Sequence, residues 1–364
     1  MPIRLIDLGY VSYVRSQTIY HSIAYGMKKT AQDTIVLVNP DRAYACIGYH
    51  QDVGADIDLD FCQTNNLPII RREIGGGAVY LDERQLFTQW VFHPGHLPWN
   101  IHKRFEIFIR PIVQTYKRLG IEAYLRPIND IHVAGKKICG TGAGAIGEAE
   151  VLVGNFLFDF DFELMSSVLK VPDEKYRDRI HESLRAYLTT IKQELGYLPD
   201  RQKVIEIYVQ QCKEILGREL EYGELTTEEL SLMDELDEKF QQAAWLHQEG
   251  RSQYPTVKIH SDVWLSEVSH KIEEREIRLQ IRTHKKLIDS LAISGDVDFL
   301  PAEKLADFER GFMQQKLDCE VLTPYIKAFY DKHSIDSSGI EVKDWIEAIV
   351  KVKEQLQKAS NSRD

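Results

Sequence analysis

The stretch Arg71-Arg72-Glu73-Ile74-Gly75-Gly76-Gly77-Ala78-Val79-Tyr80 leaves its backbone few options. Three consecutive glycines break the apolar runs on either side into strand, tight turn, strand. With no Cβ atoms there, a ligand can lie directly against the turn, and successive exposed N–H groups can bind anionic oxygen. Arg71 and Arg72 set two cations beside it. The plain alternative is a structural turn between two strands; the arginines on one side and the apolar Ala78-Val79-Tyr80 strand on the other favour a ligand site.

A second segment, Asn129-Asp130-Ile131-His132-Val133-Ala134-Gly135-Lys136-Lys137-Ile138-Cys139-Gly140, reads as two short strands around a turn at Ala134-Gly135. Alternation along a strand places Lys137 and Cys139 on one face and sends Lys136 the other way, as a solvated cation. A lysine fixed on a strand above an ATP-derived phosphate would stabilise charge on an acyl carbonyl and on the phosphate in the transition state. Its plain alternative is a surface lysine on a hairpin. Cys139 is a formal candidate for a thioester-forming nucleophile, but no histidine or second cation at a useful spacing activates it, and a small structural residue is expected. The two segments together point to a site for an activated, anionic acyl intermediate.

At 364 residues the chain is expected to form about two domains. A formal net charge of −11 argues against a nucleic-acid-binding surface, while leaving room for a local basic pocket. Five scattered cysteines (Cys46, Cys62, Cys139, Cys212, Cys319), without a CxxC pair, fit free thiols in a reducing compartment rather than disulfides or zinc. With no long apolar run, the expectation is a cytoplasmic protein that contacts neither membrane nor nucleic acid, and a monomer.

Gly142-Ala143-Gly144-Ala145-Ile146-Gly147 matches G-x-G-x-x-G, but strand-like Val151 to Phe156 follows too soon for a crossover helix. Residues 140–150 are therefore read as a flexible glycine-rich loop beside the lysine strand. His50, near the pocket strands, reads as a hydrogen-bonded structural residue; His93 and His96 have no carboxylate at metal-ligand spacing.

Residues 1–160 read as a mixed sheet with a few helices, and 160–245 as mostly helical. Arg104 to Leu119 carries Phe105, Phe108, Ile112 and Tyr116 on one face. Asp200 caps a helix ending at Gly217, and Thr226 with Glu229 forms a capping box. A turn-rich boundary falls at 249–255. Strand-like alternation follows from Thr256 to Ser294, then helices with Pro301 and Pro324 at first helical positions. The expected division is 1–252, 256–352 and a polar tail 353–364.

Taken in order, Ile47-Gly48-Tyr49-His50-Gln51, Arg71-Arg72 through Asp82, Asn129-Asp130 through Gly140, and Gly154 with its apolar strand resemble the lipoate–protein ligase family, within the wider biotin and lipoate protein ligases. Trp245 and Ile293-Ser294-Gly295-Asp296 extend the resemblance over nearly the whole chain. It implies an α+β fold, a mixed and largely antiparallel sheet flanked by helices, with a smaller α+β accessory domain. It implies that lipoate and ATP, with Mg2+, give lipoyl-adenylate, which a lysine of a lipoyl-domain acceptor (a glycine-cleavage H-like, E2-type or lipoate-binding protein) then attacks. Lys137 matches the family's essential lysine. Arg72, Gly77, Ala78, Val79, Tyr80 and Asn129 match nucleotide-contacting positions, Gly75 and Gly76 would wall the lipoyl tunnel, and Asp130 would orient Lys137 or a magnesium ion. The chain departs from the pattern at Leu81, Arg84, Gln85, Gly144 and Val153. It looks like the sub-branch associated with sulfur-oxidation lipoate-binding proteins. Two other readings are an octanoyl or lipoyl transferase working through a cysteine thioester and a non-catalytic lipoate-binding protein; retention of Lys137 argues against the latter.

Overall fold

The computed structural model describes the chain except residues 29, 127–128, 249–255, 261, 273–274, 296, 298, 338 and 362–364. The boundary expected at 249–255, and Asp296, lie outside the described residues. By contacts the chain divides into two units, residues 1–170 with 181–252, and residues 171–180 with 253–364. The second unit thus takes in 171–180, which no composition change sets apart from the helical region around it.

The first unit contains β1 (Ile3–Val11), β2 (Thr34–Pro40), β3 (Tyr44–Ile47), β4 (Ile69–Arg71), β5 (Val79–Leu81), β6 (Gln85–Phe92), β7 (Tyr124–Arg126), β8 (Asp130–Val133), β9 (Lys136–Ile146), β10 (Ala149–Leu157) and β11 (Leu220–Tyr222). Eight of them form a sheet in the order β11-β1-β2-β6-β10-β9-β8-β7, and three form a small sheet, β4-β3-β5. In the large sheet β1 pairs in parallel with β11 and β2, and every other pair is antiparallel. This is the mixed, largely antiparallel α+β arrangement the sequence implied.

Period-two alternation along β6 divides its side chains between two cores. Leu86, Trp90 and Phe92 join Phe108, Ile112 and Tyr116 of helix Ile101–Arg118 and Val204, Ile205 and Tyr208 of helix Arg201–Leu216. Phe87 and Val91 face the other way, toward Ile19, Tyr20 and Ile23 of helix Arg15–Tyr25. Helix ends fall where their caps put them: Asp200 accepts from Lys203 N–H, Gly217 sits at φ 60°, and Thr226 and Glu229 form the reciprocal capping box of helix Thr227–Gln241.

In the second unit β12 (Thr256–His260), β13 (Val263–Ile272), β14 (Arg275–His284) and β15 (Leu287–Gly295) form an antiparallel meander. Its core centres on Phe308, whose ring meets those of Phe312, Tyr325, Phe329 and Trp345. Two expectations change here. Pro324 lies inside helix Cys319–His333, which begins earlier because Asp318 caps it by accepting from Glu320 N–H; Pro301 precedes a short 3-10 turn. The stretch expected as a polar tail from 353 continues helix Val342–Asn361, held down by buried Val352 and Ala359. No helix among the described residues is long and apolar enough to cross a membrane.

Helix Ile101–Arg118 rests directly on β10, because a Cβ at Gly154 would stand 3.3 Å from Ile112, Phe108 and Thr141. Gly154→Val should therefore cost about 1–3 kcal/mol by overpacking, seen as a lower urea midpoint for the first unit. An unchanged midpoint would mean that this contact is looser than its geometry states.

Candidate functional site

The hairpin β8–β9 turns through Ala134 and Gly135, at φ 47° and 87°, the two left-handed residues of a primed two-residue turn. Asp130 pairs with Gly140 and Ile131 with Cys139, but the register then slips, so that His132 faces Lys137 and Ile138 is the extra residue of a bulge. That one residue corrects the expectation for Cys139. Plain alternation would put Lys137 and Cys139 on one face, whereas the bulge turns Cys139 into the core with Ile131, Tyr116 and Phe156. Burial pushes its thiol up to about 12. Lys137 lies on the opposite face with Asp130 and Gly140.

There the Lys137 ammonium stands 2.9 Å from the buried Asp130 carboxylate. The lysine lies back across its own strand because Gly140 has no side chain: a Cβ would come within 3.2 Å of Lys137 Cε and Nζ. Thr189 N–H holds the Lys137 carbonyl at 2.9 Å. Asn129 ties the start of β8 to β9, donating to Thr141 O at 3.0 Å while its own carbonyl accepts from the Thr141 hydroxyl. Lys136 points away and donates to Arg185 O.

Residues 140–146 are not the flexible loop that was expected. They are the body of β9, paired with β10 up to the turn at Gly147. The glycines at 142 and 144 are extended residues facing Ile74 across the sheet.

The glycine turn is organised around Arg72. Its Nη2 donates to Gly75 O and Gly77 O, both at 2.9 Å, and its Nη1 to Cys46 O at 3.2 Å. Gly76 sits at φ 103°, with room for no Cβ beside Arg72 Nη2 at 2.8 Å, and a Cβ at Gly48 would meet Gly76 O at 2.2 Å. Gly75, Gly76 and Val79 are exposed, Gly77 and Ala78 half-buried, and Tyr80 is buried against Phe160. Arg71, expected as a second site cation, is instead fully buried. Its guanidinium donates to the carbonyls of Tyr49 (2.7 Å), Gln51 (2.6 Å), Leu246 (2.8 Å) and Trp245 (3.1 Å), fastening the 48–51 loop to helix Ala243–Leu246.

The sequence reading missed His21. It is fully buried on helix Arg15–Tyr25, donates from Nδ1 to Gln17 O at 2.7 Å and accepts Glu73 N–H at Nε2. Glu73 also bridges Lys239 (2.7 Å) and Tyr25 (2.5 Å); burial raises its carboxyl, and those hydrogen bonds outweigh burial and leave it below the usual range. Nothing in the sequence links a helical histidine to a turn fifty residues later. His96, read as lacking a carboxylate, pairs with buried Asp33 at 2.9 Å alongside Arg218, a structural cluster. Of the departures from the family pattern, Arg84 pairs with Asp82, Gln85 is buried between Tyr80 O and Asn155, and Val153 flanks Gly142.

Residues 13–213, more than half of the chain, match the lipoyl protein ligase A/B catalytic domain. The chain belongs to this family. Similar proteins include lipoate-protein ligase A subunit 1 of Thermoplasma acidophilum, 29% identical across 65% of this chain and 90% of that protein. Octanoyltransferase LipM of Kyrpidia tusciae is 25% identical across 58% and 86%. A chain from the archaeal lipoylation system of Thermoplasma acidophilum, solved as a bipartite lipoate protein ligase with its E2 lipoyl domain, superposes with a TM-score of 0.63, 26% identity, and 69% of this chain against 98% of that one. Family membership thus reaches both acid-activating ligases and acyltransferases.

Burial lowers the His21 imidazole from 6.5 to about 4, so it stays neutral where the unfolded chain would take up a proton. Its contribution to stability is complete above pH 6.5 and is lost as pH falls toward about 4, at a slope near 1.4 kcal/mol per pH unit. His21→Gln should shrink the stability difference between pH 7 and pH 5 by roughly 2 kcal/mol, measured by urea denaturation. An equal difference in both proteins would place His21 in water.

Proposed function

We propose that this protein is an ATP-dependent lipoate–protein ligase, which converts lipoate and Mg-ATP to lipoyl-adenylate and passes the lipoyl group to a lysine of a lipoyl-domain acceptor. The observation that carries this reading is the contrast between Lys137 and the cysteines. Lys137 is a partly exposed cation set on the site face by Asp130. The first unit's cysteines, by contrast, are buried, and burial raises the thiols of Cys46, Cys62 (to about 11), Cys139 (to about 12) and Cys212. A thioester mechanism needs a reachable thiolate. Charge stabilisation needs only a fixed cation.

In the first step the lipoate carboxylate attacks the α-phosphorus of ATP and pyrophosphate leaves. Lys137 holds the negative charge that builds between the acyl oxygen and the α-phosphate. The backbone of Gly77 to Tyr80, Asn129 and the Arg72 guanidinium bind the nucleotide, and Gly75 and Gly76 line the lipoyl chain. Asp130 would offer a carboxylate to a magnesium ion carried by the ATP phosphates, and that ion would offset the phosphate charge. In the second step the neutral amine of the acceptor lysine attacks the mixed anhydride and AMP leaves. The Thermoplasma relative solved with an E2 lipoyl domain supports an acceptor of that kind.

Lys137→Ala should remain folded and lose about 10²–10³ in the rate of lipoyl-adenylate formation, followed by mass spectrometry of the protein with lipoate and Mg-ATP. Cys139→Ser should keep most activity. A fully active Lys137→Ala protein would remove Lys137 from the catalytic role, and a trapped thioester that Cys139→Ser abolishes would replace the ligase reading with the transferase one.

A further inference from the structure

On β9 the residues Gly140, Gly142 and Gly144 share the face on which Lys137 lies, with Lys137 itself over Gly140. Packing does not explain the second and third glycines. At Gly154 and Gly48 neighbouring atoms fill the place of a side chain at 3.3 Å or closer. A Cβ at Gly142 or Gly144 would meet nothing nearer than Val153 at 3.5 Å and Ile74 at 3.7 Å, and neither glycine has a positive φ. Glycine weakens a strand, and where the fold does not need it, it marks the close approach of another group. The same face holds Gln89, in the cross-strand row of Val153 and Gly142 and 1% exposed.

The group that does sit over these positions is Ile74, 3% exposed. It is pinned from both ends, since Glu73 N–H binds His21 and Ile74 O accepts from Tyr49 N–H at 3.2 Å. Measured along the strand, Gly142 lies about 7 Å and Gly144 about 14 Å from Gly140. An acyl chain activated beside Lys137 and laid along this face therefore runs into Ile74.

We propose that Ile74 sets the length of acyl chain the site accepts, by closing this face of β9 from Gly142 onward. This rests on the reading of the site as one that binds a lipoyl-type carboxylic acid. Each methylene that enters an apolar bed strengthens binding about fourfold, so the test is the ratio of affinities for octanoate and decanoate, measured by calorimetry on the whole protein. Ile74→Ala should raise decanoate affinity relative to octanoate at least about fourfold. Gly144→Ala, which adds a methyl group under Ile74, should shift the ratio the other way. A merely structural role would change both affinities alike, so one ratio in all three folded proteins overturns the proposal. So does a wild-type protein that binds neither acid. If Ile74→Ala fails to fold, Ile74→Val and Gly144→Ala carry the same comparison. Wild-type protein that shows the length effect but forms no acyl-adenylate with Mg-ATP would overturn the ligase reading and leave this one standing.

Discussion

Three glycines in a row bring more conformational freedom to a turn than any other tripeptide, and here one guanidinium removes most of it. By taking the carbonyls of Gly75 and Gly77 on one nitrogen and that of Cys46 on another, Arg72 fixes the turn against β3. Its partners are carbonyl oxygens and a thiol, so the turn acquires a positive charge together with its shape. The chain on either side follows from this. Gly48 can only be glycine because Gly76 is pulled close, and Glu73 N–H is left directed at His21. Arg71 applies the same chemistry one residue earlier, binding the carbonyls that end helix Ala243–Leu246. Two adjacent arginines thus divide the labour: one shapes the turn and the other supports it from behind.

Much of this was legible in the sequence where local chemistry decides. The Gly75–Gly77 break, the Ala134-Gly135 turn, β6 and the caps at Asp200 and Thr226 each follow from residues within one turn of themselves. What was not legible depends on register or on partners far along the chain. The bulge at Ile138 leaves no compositional mark, yet it decides which face Cys139 occupies. The glycines from 140 to 147 look like a loop because glycine is poor in strands; pairing with β10 overrides that preference. Arg71 and Arg72 are indistinguishable as letters, and only the small sheet shows that one is buried. His21 is invisible for the same reason, since its meaning is supplied by Glu73.

The proposed choice of ligase over transferase chemistry rests on the two faces of one strand. A strand offers two, and the β8–β9 hairpin assigns them oppositely. The core face, with Ile131 and Cys139, is closed by Tyr116 and Phe156, where a thiolate would be desolvated. The other face holds Asp130, Lys137 and Gly140. Without the bulge, Lys137 and Cys139 would share one face, with no change in composition.

The Lys137–Asp130 pair fixes what the lysine can do. An ammonium held 2.9 Å from a carboxylate has no lone pair and cannot be the nucleophile. It can lower the energy of an oxyanion that forms beside it. In the ligase reaction proposed above, the attacking amine belongs to the acceptor, which requires the face bearing Lys137 to be reachable. A partly exposed lysine lying over Gly140 fits that requirement, with the carboxylate beside it holding its ammonium in place.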